Sequence, residues 1–213
     1  MAKSREGCRS VPGAGGVTTT HVPVPVRVIG GPTVLIGYGG LRLLTDPTFD
    51  TPRDYPVGNG FVLTRTAAPV VSPDELGPID AVLLSHDEHP DNLDHGPDGC
   101  EPVTGEVIGF LLTPADLPTV YVSGDNASLD VVRDIADRFG PVDTAVLFAG
   151  GARTARLDGA LLTLDSARSA EAARILGARR VVAAHADGWT HFTEGHDELE
   201  AAFAEAGPAD RLA

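Results

Sequence analysis

The sequence predicts a layered α/β protein, with β-sheets covered by outer helices. Three observations predict it. Short apolar runs between turn residues dominate the first half, helical periodicities alternate with such runs in the second, and three strands run directly into side chains that ligate metals.

Pro23 to Ile29 alternates apolar residues with proline and arginine, and Thr33 to Tyr38 and Leu41 to Leu44 follow as apolar runs. Gly30-Gly31-Pro32 and Gly39-Gly40 separate them, so the pattern is three strands joined by tight turns. Asp46-Pro47 closes the third run. The next two dozen residues, rich in Pro, Gly and Asp, are expected to form a long loop that folds over a site or moves. Asp80 to Leu84 is a further strand, expected to be buried and ended by Ser85.

Val107 to Leu112 and Thr119 to Val122 continue the strand pattern, bridged by Pro114 to Pro118, and the second runs into Ser123-Gly124-Asp125-Asn126. Leu129, Val132, Ala136 and Phe139 recur at helical spacing and stop at Gly140, which suits a helix C-terminus. Asp143 to Ala149 is a buried strand. Asp165 or Ser166 caps a helix whose apolar face holds Ala170, Ala173 and Leu176, with Gly177 as terminator. Arg180 to Ala184 is the last strand and ends at His185. Thr193 is placed to cap a final helix with Leu199, Ala202, Phe203 and Ala206, closed by Gly207-Pro208.

With 213 residues, 42% hydrophobic and 22% charged, the chain suffices for one full core of ordinary globular composition. Residues 1–20 read as a disordered leader and 21–213 as a single domain. A net charge of −14 repels nucleic-acid backbones and anionic membrane surfaces, so neither is an expected partner, whereas a small molecule is compatible with the composition. A homo-oligomer is compatible with the composition. Cys8 and Cys100 form no disulfide framework, and no signal peptide or membrane-spanning run is legible, so a cytoplasmic location is expected.

The segment from His86 to Asp94 places two imidazoles and four carboxylates within nine residues at the end of a strand. Charged groups are costly to bury unless paired or bound to metal, so packing does not account for such a cluster. Asp125 and His185 also stand just past strand ends, and His95 follows the first cluster directly. Ligands at several strand ends can converge on one point while a sheet holds them rigid. His191 and His196, flanking the start of the last helix, are read as surface or capping residues, with lining a pocket near Trp189 as the alternative for His191, and Asp87 and Asp94 as solvating or supporting groups.

These motifs, in this order, resemble the metallo-β-lactamase superfamily, particularly its lactonase-like bacterial branch. His86 to Asn92 is similar to the family's His-x-His-x-Asp-His element, His95 to its third-motif histidine, Asp125 to its bridging aspartate and His185 to its last histidine. Thr45-Asp46-Pro47 resembles its early aspartate motif, which orders the site without binding metal. The resemblance implies a four-layer αββα sandwich with a metal centre between the sheets. It implies His86, Glu88, His89, Asp91, His95, Asp125 and His185 as metal ligands, and Asp91 also as the catalytic residue.

The resemblance further implies Zn²⁺, one ion or two, with Mn²⁺ or Fe²⁺ as alternatives, and hydrolysis of a lactone, ester, amide or phosphoester by a metal-activated water. Glu88 stands where the family has its second histidine and Asn92 where it has the closing one. A carboxylate in place of imidazole shifts preference toward harder ions, and Asn92 would be a weak ligand. Asp94 is followed at once by His95, where relatives insert a helix and strands, so part of the first half is expected to be missing. The alternative reading is an inactive remnant of the fold that serves as a binding domain or is not stably folded.

Overall fold

The computed structural model describes residues 22–57, 60–87, 89–92, 107–113, 115–207 and 209–213. Two antiparallel pairs and one parallel pair build the first sheet: β1 (Val26–Gly30), β2 (Thr33–Tyr38) and β3 (Leu41–Thr45) form a meander, and β6 (Ala81–Leu83) joins β3 in parallel. Between β3 and β6 lie an antiparallel ribbon, β4 (Arg53–Pro56) and β5 (Val62–Arg65), and the single-turn helix α1 (Pro73–Leu76).

The second sheet has the order β10-β9-β8-β7. Its strands are β7 (Phe110–Leu112), β8 (Val120–Val122), β9 (Thr144–Phe148) and β10 (Arg180–Ala184), with only the β7–β8 pair antiparallel. The parallel pairs need crossovers, supplied by α2 (Leu129–Phe139) and α3 (Ser166–Ile175). Each begins as its sequence requires: Ser128 Oγ accepts from Val131 N–H at the start of α2, and Asp165 Oδ1 accepts from Arg168 N–H at the start of α3.

The two sheets face each other across a dry core. Val34, Ile36 and Leu43 from the first meet Val120, Val122, Val146, Phe148 and Val182 from the second. Strand alternation sends the other side chains of the second sheet outward, where Tyr121, Ala145, Leu147, Val181 and Ala183 pack beneath α2, α3 and α4 (His196–Ala206). On the far side of the first sheet, Ile29 and Leu44 are covered by Leu76 of α1 with Phe49, Val71 and Ile79. One outer layer is therefore three helices and the other, among the described residues, a single helical turn and loops.

Four expectations change. The stretch expected as a loop after Asp46 contains the β4–β5 ribbon, held by cross-strand pairs such as Thr64 Oγ1 donating to Asp54 Oδ1 at 2.7 Å. The strand expected to be buried, β6, is an exposed sheet edge with Val82 at 52% exposure, because its apolar composition was the only signal for its burial. Val107 to Phe110 contributes only its last residue to β7. Thr193 does not cap α4: its hydroxyl donates to Gly151 O at 2.7 Å, and Gly195 takes the cap position with its N–H donating to Glu198 Oε2 at 2.9 Å. The expected leader, Glu88, Asp94, His95 and the seam of the expected missing segment lie outside the described residues.

Candidate metal centre

The site gathers where strands of both sheets end. Asp46 follows β3, His86 follows β6, Asp125 follows β8 and His185 follows β10, and all four are buried or nearly so. Two of them carry unusual backbone: Asp46 has φ of 30° and His185 φ of 52°, positions that side-chain-bearing residues seldom occupy. Each is held by long-range hydrogen bonds. His185 N–H donates to Gly31 O at 2.7 Å, and Asp46 N–H donates to Leu83 O at 3.0 Å. Such strain persists where the surrounding structure over-determines it, which is typical of functional positions.

Gly124 shows how Asp125 is delivered. Its φ of +58° turns the chain sharply after β8, and a Cβ there would stand 2.5 Å from Ile108 O. Only glycine fits both the turn and the close approach. Asp125 is then directed between two histidines, with Oδ2 3.8 Å from His86 Nε2 and Oδ1 3.3 Å from His185 Nδ1.

His86, His89 and Asp125 form one corner, each offering a ligand atom, all within 4.8 Å of one another. His86 Nε2 and His89 Nδ1 are 3.0 Å apart. Ligand atoms about 2.0 to 2.1 Å from a tetrahedral ion lie roughly 3.3 Å from each other. The observed 3.0 and 3.8 Å bracket that spacing.

A hydrogen-bond chain orients His86. Its Nδ1 is 3.0 Å from Ser85 Oγ, and Asn92 Nδ2 donates to the same hydroxyl at 3.4 Å. Ser85 Oγ accepting from His86 Nδ1–H leaves Nε2 with its lone pair toward Asp125, the tautomer a metal ligand needs. Asn92, fully buried, thus supports His86 through its amide nitrogen, while its Oδ1 has no hydrogen-bond partner among the described residues. Replacing Ser85 by Ala is expected to weaken Zn²⁺ affinity by about 10- to 100-fold with little change in fold, measured by competition with a chromogenic chelator.

A second corner centres on Asp91. Its Oδ2 lies 3.4 Å from His185 Nε2 and 3.1 Å from His191 Nε2. Burial alone would raise the Asp91 carboxyl, but His185 and His191 hold it well below the usual carboxylate range. Burial likewise opposes charge on His185, yet Asp125 and Asp91 outweigh it and push the imidazole up to about 10. Asp91 Oδ1, Asp125 Oδ1 and both ring nitrogens of His185 still have no well-formed hydrogen bond among the described residues. Buried carboxylates and imidazoles left in this way fit a cationic partner of the charge and ligand preference of a divalent metal.

His191 is the residue that sequence reading misplaced. It is mostly buried beside Asp91 and lines a cavity of about 400 Å³ whose polar floor also includes His89, Asp91 and Asp125. The ribbon puts it there: Thr66 N–H donates to Gly188 O at 2.8 Å and Thr190 N–H to Thr64 O at 3.1 Å. Proximity to Trp189 was the only sequence hint of a pocket role.

Asp46 anchors the site from below, its Oδ1 accepting Ser85 N–H at 2.6 Å. Burial is the main influence on its carboxyl and pushes it up to about 7, against the lowering effect of the Ser85 hydrogen bonds. The folded chain therefore keeps a proton that the unfolded chain releases near 3.8. Stability from this proton is full below the unfolded value and is lost as pH rises through about 7. In chelator-treated protein, the stability advantage of wild type over Asp46→Asn should shrink by on the order of 2 to 3 kcal/mol between about pH 5 and pH 7, read from urea unfolding.

No family model and no curated protein matches the sequence. Solved structures do match. The isothiocyanate hydrolase from Delia radicum gut bacteria has a TM-score of 0.72 at 18% identity, over 88% of this chain and 94% of that one. A possible metal-dependent hydrolase from Veillonella parvula has a TM-score of 0.75 at 15% identity, over 88% and 95%. A metallo-hydrolase from the archaeon Ignicoccus hospitalis has a TM-score of 0.59 at 15% identity, over 89% and 94%. At these identities the likeness speaks for the fold. Together with two facing sheets whose strand ends carry the aspartates and histidines, it identifies the architecture: the chain has the metallo-β-lactamase fold.

Proposed function

We propose that the chain is a metal-dependent hydrolase acting with a metal-activated water on a lactone, ester, amide or phosphoester. The observation that carries this reading is the convergence of His86, His89 and Asp125 at ligand spacing, with His89 and Asp125 lining a cavity. His86, His89 and Asp125 would hold one ion, zinc by preference of the ligand set, with Mn²⁺ or Fe²⁺ as alternatives; Asp125, with His185 and Asp91, forms the corner available to a second. Glu88 and His95 remain proposed ligands on the sequence resemblance alone. A divalent cation there supplies Lewis acidity and makes water a nucleophile near neutral pH.

The chain's own residues do the rest. Asp91 Oδ1, buried at the cavity floor without a hydrogen-bond partner among the described residues, is placed to accept a proton from the attacking water. His185 and His191 fix the other oxygen of that carboxylate, so its orientation is set before substrate arrives.

The experiment is a metal titration of chelator-treated protein followed by unfolding. A ligand at 100 times its Kd adds about 2.7 kcal/mol, which for a domain of this size is a rise of roughly 5 to 10 °C in Tm. Asp125→Ala should lose most of that rise, and hydrolysis should return with metal and vanish with chelator. A folded wild-type protein that gains no stability from Zn²⁺, Mn²⁺ or Fe²⁺ overturns the reading.

A further inference from the structure

The outer face of the first sheet is only partly covered. Ile29 and Leu44 lie under Leu76 of α1, whereas Arg27, Leu35, Gly37 and Arg42, brought to the same face by the pairs Arg27–Leu35 and Gly37–Arg42, stand beside that cover. Together with Pro23 to Val26 and with Arg180 from the start of β10, they line an open groove of about 510 Å³. It shares no lining residue with the cavity at the metal centre.

Three guanidiniums thus meet in one groove of a chain whose net charge is −14. Elsewhere arginines pair with carboxylates, as Arg133 does with Asp130, Arg174 with Glu171 and Arg179 with Asp143. Arg27, Arg42 and Arg180 form no ion pair among the described residues. Arg42 donates to backbone carbonyls, from Nε to Pro78 O at 2.9 Å and from Nη2 to Leu76 O, and Arg180 Nη1 donates to Val24 O at 2.8 Å. These bonds hold two guanidiniums in place without neutralising them. The acids beside them are engaged by other donors: Glu75, close enough to feel the charge of Arg27, accepts from the Ser72 N–H and hydroxyl, and Asp80 Oδ2 accepts the Arg42 backbone N–H at 2.8 Å.

Gly37 keeps the groove open. Its backbone is ordinary strand, and a Cβ there would meet Pro25 at 3.6 Å, an ordinary contact, so neither conformation nor crowding requires glycine. The missing side chain leaves space on the face that Arg27, Leu35 and Arg42 share.

We propose that this groove binds an organic phosphate monoester, its dianion held by Arg27, Arg42 and Arg180 and its apolar body laid along Leu35, Pro23 and Pro25. A phosphate presents three oxygens to planar guanidinium donors and carries more charge than one carboxylate, so it suits three unneutralised arginines better. The acidic chain repels anions at long range, and a local cationic cluster is what overcomes that repulsion.

Phenylphosphonate, which has no ester bond to hydrolyse, tests this by calorimetry on metal-loaded and on chelator-treated protein. Binding is expected in both forms, because no proposed metal ligand lines the groove. Methylphosphonate, which lacks the apolar body, should bind about 5- to 20-fold more weakly. Arg27→Gln, at an exposed side chain with no hydrogen bond to lose, should weaken phenylphosphonate about tenfold, and Gly37→Val, a residue strands favour, should abolish its binding, both with unfolding midpoints near wild type. Arg133→Gln removes the same charge from α2 and should leave the affinity unchanged. Absence of binding to chelator-treated wild type overturns the inference, since any remaining binding would then belong to the metal centre. Equal affinity for the two phosphonates, equal weakening by Arg27→Gln and Arg133→Gln, or undiminished binding in Gly37→Val overturns it as well.

Discussion

Replacing His185 by Ala is expected to destabilise the metal-free chain by about 3 to 5 kcal/mol, because it removes one partner from a buried charge network. His185 is 1% exposed and stands between Asp125 at 3.3 Å and Asp91 at 3.4 Å. Without it, Asp91 keeps only His191 at 3.1 Å and Asp125 only the longer contact to His86 at 3.8 Å. The ring also packs against Phe148 at 5.1 Å and Phe192 at 4.6 Å between centroids, so the substitution opens a hole as well. For a domain of this size the loss corresponds to a fall of roughly 6 to 20 °C in Tm. A change under 1 kcal/mol would mean that the network is not formed.

The second large effect concerns Asp91. Asp91→Asn should lower kcat for metal-dependent hydrolysis by about 10²- to 10⁴-fold, the usual range for loss of a positioned proton acceptor. Asparagine is neutral, and its amide nitrogen presents protons where the carboxylate accepted them. Because Asp91 stands outside the His86, His89 and Asp125 corner, the variant should still bind metal there, with KM changed far less than kcat. Loss of metal in proportion to loss of rate would assign Asp91 to binding instead.

Much of this was legible in the chain. β2, β8, β9 and β10 are continuous apolar runs because both faces are covered, and such runs stand out between turn residues. The helix α2 announces itself through its apolar spacing and the stop at Gly140, and α3 through Asp165 and its apolar spacing. His86, Asp125 and His185 stood out because each follows a short apolar run.

The ribbon was not legible, since Arg53, Asp54 and Pro56 are exposed and lack the alternation of a half-buried strand. That omission also hid His191. Its position depends on an isolated bridge between Arg65 and Trp189 and on backbone bonds to the ribbon, contacts between segments more than a hundred residues apart. Local periodicity carries no information about such pairings. The contact of Asn92 with the Ser85 hydroxyl was hidden for a related reason: sequence spacing does not orient that hydroxyl.

The central claim is that His86, His89 and Asp125 hold a divalent metal beside the cavity that His89 and Asp125 line. Anomalous diffraction at the zinc edge, from crystals of wild-type protein grown with zinc, tests it most directly. The expected result is a peak about 2.0 to 2.2 Å from His86 Nε2, His89 Nδ1 and an Asp125 oxygen. A folded chain with no zinc at that point, or with zinc only on surface carboxylates, contradicts it.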